Sequence, residues 1–371
     1  MCLCFGSAVL VMSVVPGERT SAAIESRPRP EPEEGELLVR GIAVGICGTD
    51  RDVVLGHKGR PPERRHRLVL GHESLGRVVT APANSPYAPG DLVVGMVRRP
   101  DPVPCVSCAA GEWDACRNGR YTSCGITGRD GYGAQLWCAA PEFTVPVDPG
   151  IAARGVLAEP VSVLAKAWER ISAMRPREHP HCVLVTGAGP LGLLAALLAA
   201  QRGYRTFLYT RTWTTRRTSL ADRLGVTPLE RLDGVEPDVV LETTGAPHVL
   251  AGALDLIARN AVVCLLGLTA GAEGPSPALA SAMRRLVPYN GVLFGTVNAA
   301  RRHYADAVQA LARADRDWLD DLITRQVPLD RWHEALERRP DDLKVVVTLE
   351  TPAEDAPHSG PAQDRAEKAP T

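Results

Sequence analysis

Cys47-Gly48-Thr49-Asp50 and Gly71-His72-Glu73 each lie beside a β-type run of this 371-residue chain. A thiolate, an imidazole and a carboxylate together suit Zn²⁺, which takes sulfur, nitrogen and oxygen ligands tetrahedrally. Either piece alone would be unremarkable, because a lone cysteine is mostly a small buried hydrophobe. Glu159, in Ala158-Glu159-Pro160, is a third candidate ligand. A second group, Cys105-x2-Cys108-x7-Cys116, also has metal-ligand spacing, and Cys124 follows it. Four of the ten cysteines fall within residues 105–124, which is no whole-chain disulfide framework. Residues 1–15 are apolar but carry no basic lead and no small-residue cleavage site. A reducing, cytoplasmic location is therefore expected, where clustered thiols indicate metal.

Gly187-Ala188-Gly189-Pro190-Leu191-Gly192 is a GxGxxG directly after the apolar strand CVLVT and at the opening of an apolar helix. That context marks a dinucleotide fingerprint. Gly187 permits the tight turn, Gly189 lets backbone approach a pyrophosphate, and Gly192 lets helix pack on strand. Pro190 and Leu191 open the helix, whose free N–H groups and dipole favour phosphate. An acid at the end of the second strand would read a ribose 2′-hydroxyl. The segment 209–217 has none; it offers Arg211, Arg216 and Arg217, which suit a 2′-phosphate, so NADP is favoured over NAD. Arginine is common here, 38 against 4 lysines, as in a product of a GC-rich genome. Thr243, Thr244 and Gly245 follow the strand DVVLE, where a member of a dinucleotide-binding family would approach the adenosine or nicotinamide half of the cofactor.

The elements that must position these residues fall into two textures. Residues 36–160 are rich in Gly and Pro, with short β-type runs at 37–44, 68–70, 76–80 and 92–97. Residues 161–174 have a helical apolar face of Val161, Leu164, Ala165, Trp168 and Ile171. From 182 strand and helix alternate: strands at 182–186, 206–209, 238–241, 262–266 and 292–295, with a helix at 190–201. Such alternation implies right-handed crossovers and a doubly wound parallel sheet. A helix at 304–311 and a strand at 344–349 close the chain, the strand returning to the first domain. Residues 351–371 read as a disordered tail, and Met12 is an alternative start. A formal charge of −1 argues against a general nucleic-acid binder, and no run is long enough to span a membrane.

The order GxCGTD, GHE, AEP and VTGAGPLG resembles the zinc-dependent medium-chain alcohol dehydrogenases, and most of all their archaeal-type glucose dehydrogenase branch. LETTG and GTVNA at 295–299 fit that branch, and the resemblance runs from Met12 to Leu349. It implies an α/β protein: a GroES-like, mostly-β catalytic domain over 12–160, completed by 296–350, around a Rossmann domain over 161–295. It further implies Cys47, His72 and Glu159 as catalytic zinc ligands, with Glu73 binding in some coordination states. Thr49 would contact substrate or relay its proton, and Asn298 would reach the substrate and cofactor region. Cys105, Cys108 and Cys116 resemble the last three ligands of a structural-zinc lobe whose first position is here Pro102. Asp101 or Cys124 could complete it, or the lobe could be metal-free. The branch has an Asn before Arg98-Arg99 and a Glu after the last lobe cysteine; this chain has Val97 and Ser123. Fewer polar groups weaken recognition of glucose hydroxyls. A sugar, polyol or cyclitol with a secondary alcohol is the expected substrate, and His57, Arg51 and Asp52 could line its site. A homo-oligomer is expected. Two other readings stay open: a zinc-free NAD(P)H reductase on the same fold, and a non-catalytic nucleotide-binding protein.

Overall fold

A computed structural model describes residues 8–175, 180–268 and 277–350. Cys2, Cys4 and the tail 351–371 lie outside the described residues. The first strand, Val9–Val14, pairs with Ala23–Arg27 and with Leu68–Val69. Met12 is fully buried in the middle of that strand.

The first domain is organised by one long strand, Leu37–Ile46, most of whose side chains are buried. One edge pairs antiparallel with Glu73–Thr80. The other edge is shared: Leu136–Ala139 takes residues 37–40, and Lys344–Thr348 takes residues 43–46. Thus the last described strand returns to the first domain, as the sequence suggests. Beyond it, Ile323–Pro328 adds a parallel strand that the sequence reading does not contain. The strand Glu73–Thr80 starts three residues before the apolar run at 76, so the GHE motif leads straight into it. Residues 48–55, read only as motif, form a helix that Gly56 closes in the left-handed conformation.

The second domain is a six-stranded parallel sheet in the order Thr227–Leu229, Arg205–Tyr209, Cys182–Thr186, Val239–Glu242, Val262–Leu265 and Val292–Gly295. In chain order this is 3-2-1-4-5-6, the doubly wound arrangement whose ligand sits where the order reverses. The strand Cys182–Thr186 and helix Pro190–Gln201 have the expected bounds. That helix is apolar on all sides because it is buried on nearly all sides, from Gly192 to Ala199. The linking helix Ala158–Met174 buries Val161, Leu164, Trp168 and Ile171 in the core shared with the parallel sheet. Among the described residues, no helix is long and apolar enough to cross a membrane.

Candidate active site and metal centres

Cys47 caps the helix Gly48–Leu55. Its Sγ accepts from Thr49 N at 3.2 Å, and its own N–H donates to Asp50 Oδ2 at 2.9 Å. The cap thereby fixes the position of the thiol. His72 Nε2 lies 3.1 Å from Cys47 Sγ, and its Nδ1 lies 3.2 Å from Asp50 Oδ1. Asp50 is fully buried, so one carboxylate orients both the thiol segment and the imidazole. The sequence reading gives Asp50 no role; its position three residues after a helix-capping cysteine is the signal it overlooks.

Donor atoms of His72, Glu73 and Glu159 lie within 4.8 Å of one another, and so do those of Cys47, Asp50 and His72. Glu73, however, is held from behind. Lys344 Nζ donates to its two oxygens at 2.7 and 2.5 Å, and both side chains are 2% exposed. Burial works against the Lys344 ammonium, but Glu73, Cys47 and Glu159 together outweigh it and raise the lysine pKa. Burial likewise opposes charge on His72, yet Asp50 and Cys47 hold it well above the ordinary histidine value. Burial pushes Glu159 up to about 7, with Glu73 adding and His72 opposing. His72 is thus shared between the Cys47–Asp50 group and the Glu73–Glu159 group, and a thiol, an imidazole and a carboxylate around it are the donor types a divalent zinc would take.

The fingerprint passes its own steric test. Gly187 has φ +98°, and a Cβ there would meet Thr243 Oγ1 at 2.8 Å. A Cβ on Gly192 would meet Gly187 O at 1.7 Å, whereas one on Gly189 would point into open space. These are the turn, the close packing and the open approach that a pyrophosphate needs. Glu242, buried at the end of its strand, accepts from Thr244 N at 2.8 Å and Gly245 N at 3.0 Å and so shapes the facing loop. Thr243 Oγ1 donates to Thr186 O at 2.7 Å.

One cleft of about 1880 Å³ joins the two halves. Cys47, Thr49, His72, Glu73 and Glu159 line it from the catalytic side, and Gly187, Gly189, Pro190, Leu191, Gly192, Arg211 and Thr243 from the other. Asn298 lines it too, with φ +60°, 7% exposure and no partner for Oδ1 or Nδ2. A buried amide held in a left-handed conformation with both ends open is set to meet a ligand. Arg51, Asp52 and His57 line the cleft as well. Arg216 does not. Its guanidinium donates to Asp321 O at 3.1 Å, while Arg217, the next residue on the helix Thr215–Arg223, faces the cleft.

Residues 152–349 match the family described as glucose dehydrogenase C-terminus, and residues 33–149 the alcohol dehydrogenase GroES-like domain. The chain belongs to the zinc-dependent medium-chain alcohol dehydrogenases, on their glucose dehydrogenase branch. It is 33% identical to the glucose 1-dehydrogenase of Methanocella arvoryzae, over 91% of this chain and 98% of that one. It is 35% identical to that of Thermoproteus tenax, over 92% and 99%. A solved structure of Haloferax mediterranei glucose dehydrogenase in complex with NADP, Zn and gluconolactone superposes with a TM-score of 0.84, at 31% identity, over 92% of this chain and 99% of that one.

In this dehydrogenase the second cysteine group is a three-thiol cluster. The sulfurs of Cys105, Cys108 and Cys116 lie within 4.8 Å of one another. Neither proposed substitute joins them. Asp101 is turned away: its Oδ1 accepts from Val103 N at 2.9 Å, and its Oδ2 from Asn118 Nδ2 at 2.8 Å and Arg120 Nε at 3.1 Å. Cys124 lies on the short strand Thr122–Cys124 and is buried in a core cluster with Val39, Tyr132 and Trp137. Among the described residues the cluster therefore supplies three of the four ligands of a closed tetrahedral site.

Proposed function

We propose that the protein is a zinc- and NADP-dependent dehydrogenase oxidising a secondary alcohol of a sugar, polyol or cyclitol, or reducing the matching carbonyl. One observation carries this reading: Cys47, His72 and Glu159 line the same cleft as the glycine cradle. Intact donors speak against a zinc-free reductase, and membership of an oxidoreductase family speaks against a purely structural role.

Zinc held by Cys47, His72 and Glu159 would supply Lewis acidity to the substrate hydroxyl, and NADP the hydride acceptor. The chain's own residues do the rest. Three protein donors leave a fourth position for substrate. Asp50 keeps the His72 ring in place through Nδ1, leaving Nε2 toward Cys47. Thr49 lies next to the thiol and lines the cleft, where its hydroxyl can relay the proton that the alcohol loses, accepting it while passing its own on to water in the cleft. Asn298 offers a donor and an acceptor across from it. Lys344 keeps Glu73 occupied, so Glu159 is the carboxylate free to ligate. The arginines 211 and 217 border the cofactor side, where they would pair with a 2′-phosphate.

The test is metal content with a cofactor-reduction assay on sugars, inositols and aminocyclitols. Cys47→Ser and His72→Ala are expected to abolish turnover while leaving NADP affinity within about threefold, since the cofactor rests on the other domain. Unchanged activity in either variant would sink the zinc assignment.

A further inference from the structure

The three thiols of the lobe stand at the two ends of a loop that holds part of the cleft. Cys105 and Cys116 are half-buried, and Cys108 is buried. Their sulfurs lie within 4.8 Å of one another, and Arg117 N, next to Cys116, donates to Cys105 Sγ at 3.4 Å. Asp101 and Cys124 are engaged elsewhere, so among the described residues no fourth ligand closes the group and seals its thiols. The loop between Cys108 and Cys116 carries two carboxylates that reach out of the lobe. Asp114 Oδ2 pairs with Lys166 Nζ at 2.6 Å, and the two side chains are 2% and 12% exposed. Lys166, about two turns along the linking helix from Glu159, also donates to Val297 O at 3.3 Å. Asp114 O accepts from Arg98 of the cleft wall at 3.2 Å. Glu112 pairs with Arg302 at 2.6 Å. Val297 and Arg302 bracket Asn298, the buried amide that lines the cleft. The Glu112 pair is exposed and worth little, whereas the Asp114–Lys166 pair is buried and costly to break.

We propose that Cys105 and Cys116 are a modification site for hydrogen peroxide, joining in a reversible disulfide that loosens the Asn298 segment and slows the enzyme. The effect on turnover rests on the dehydrogenase reading above; the disulfide does not. The Cys105 thiolate attacks one peroxide oxygen, the O–O bond breaks, and a sulfenic acid forms with loss of hydroxide. The Cys116 thiolate then attacks that sulfur, the S–S bond forms, and the hydroxyl leaves. The two protons of the thiols convert both hydroxides to water, so two thiols are oxidised as one peroxide is reduced to two waters. Drawing Cys116 onto Cys105 shifts the chain two residues from Asp114 and pulls on its contact with Lys166.

The test treats the zinc-loaded full chain with hydrogen peroxide, blocks the remaining thiols and maps the cysteines by peptide mass spectrometry. A Cys105–Cys116 disulfide that dithiothreitol reverses is expected, with a loss in kcat/KM of about tenfold, the scale of one charge-assisted contact. Cys116→Ser should form no such link and resist the treatment. Cys108→Ser should keep both the link and the inhibition, which guards against a lobe that fails to fold in the first variant. Lys166→Gln should still form the disulfide, yet start slower in the reduced state and lose little more on oxidation, which a purely structural lobe would not show. If no alcohol is turned over, the dehydrogenase reading is what fails; the mapped disulfide and a weaker NADP affinity in the oxidised protein, read by fluorescence titration, still decide the proposal. A disulfide that omits Cys116, or none, overturns it. So does equal inactivation of Cys116→Ser and wild type, which would place the damage at Cys47, or a disulfide that changes neither kcat/KM nor NADP affinity.

Discussion

Replacing Lys344 with Met removes the ammonium that holds both oxygens of Glu73 at 2.7 and 2.5 Å. The two side chains are 2% exposed, so water cannot take its place. Breaking one side of a buried ion pair costs about 3–5 kcal/mol, because the remaining charge is left unpaired. That is a large part of the roughly 5–15 kcal/mol that holds a domain folded. Glu73→Gln should cost a similar amount by stranding the ammonium. The double variant Lys344→Met/Glu73→Gln strands neither charge, so its cost should fall short of the sum by about 1–3 kcal/mol. The sign of the pH dependence follows from the raised lysine pKa: the pair's contribution is full below the ordinary lysine range and is lost only as pH climbs through the raised value. Urea unfolding of the four zinc-free proteins at pH 7, followed by circular dichroism, measures the cycle. Additive single effects, or a Lys344→Met cost below about 1 kcal/mol, would refute a structural ion pair here.

Other outcomes follow from the same geometry. Arg211→Asp should move preference from NADP toward NAD, read as the ratio of the two kcat/KM values; a persisting NADP preference would assign the 2′-phosphate elsewhere. Zinc uptake by the metal-stripped protein should release more protons and be weaker at pH 6 than at pH 8.5, because His72 sits well above its ordinary value and Glu159 near 7, and both must be deprotonated to ligate. Titration in buffers of different ionisation enthalpy checks this, and its stoichiometry, near one or near two, tells whether the Cys105–Cys108–Cys116 cluster also takes an ion. Gly192→Ala should cost NADP binding outright, since its Cβ would lie 1.7 Å from Gly187 O; near-native affinity by fluorescence titration would contradict the packing.

The parts of this site readable from sequence are those built from short, contiguous segments. The glycine fingerprint sits between a strand and a helix whose types and bounds follow from apolar runs alone. Cys47 and His72 were legible because each lies in a short motif of ligating types. What escaped detection depends on the fold. Lys344 reaches Glu73 across 271 residues of sequence, through a strand pairing that no local pattern encodes. Arg216 and Arg217 look interchangeable as letters, yet a helix turns about 100° per residue, sending one to Asp321 and the other to the cleft. Cys124 shares a neighbourhood in sequence with the thiol lobe, but strand pairing buries it in another cluster.

The closing strand Lys344–Thr348 also sets the order in which the enzyme can be made. It fills an edge of Leu37–Ile46 and delivers the counter-charge of Glu73. A ribosome adding about 5–20 residues per second needs roughly 10–40 s to travel from Glu159 to Lys344. During that interval Cys47, His72 and Glu159 have been synthesised, yet residues 43–46 of the central strand keep an unpaired edge and Glu73 lacks Lys344. The Rossmann half can fold in the meantime as a contiguous unit, whereas the first sheet must wait for its closing strand. Completion of the first sheet is thereby tied to completion of the chain, and a transcript cut short before codon 344 would yield a nucleotide-binding half beside an open, aggregation-prone sheet.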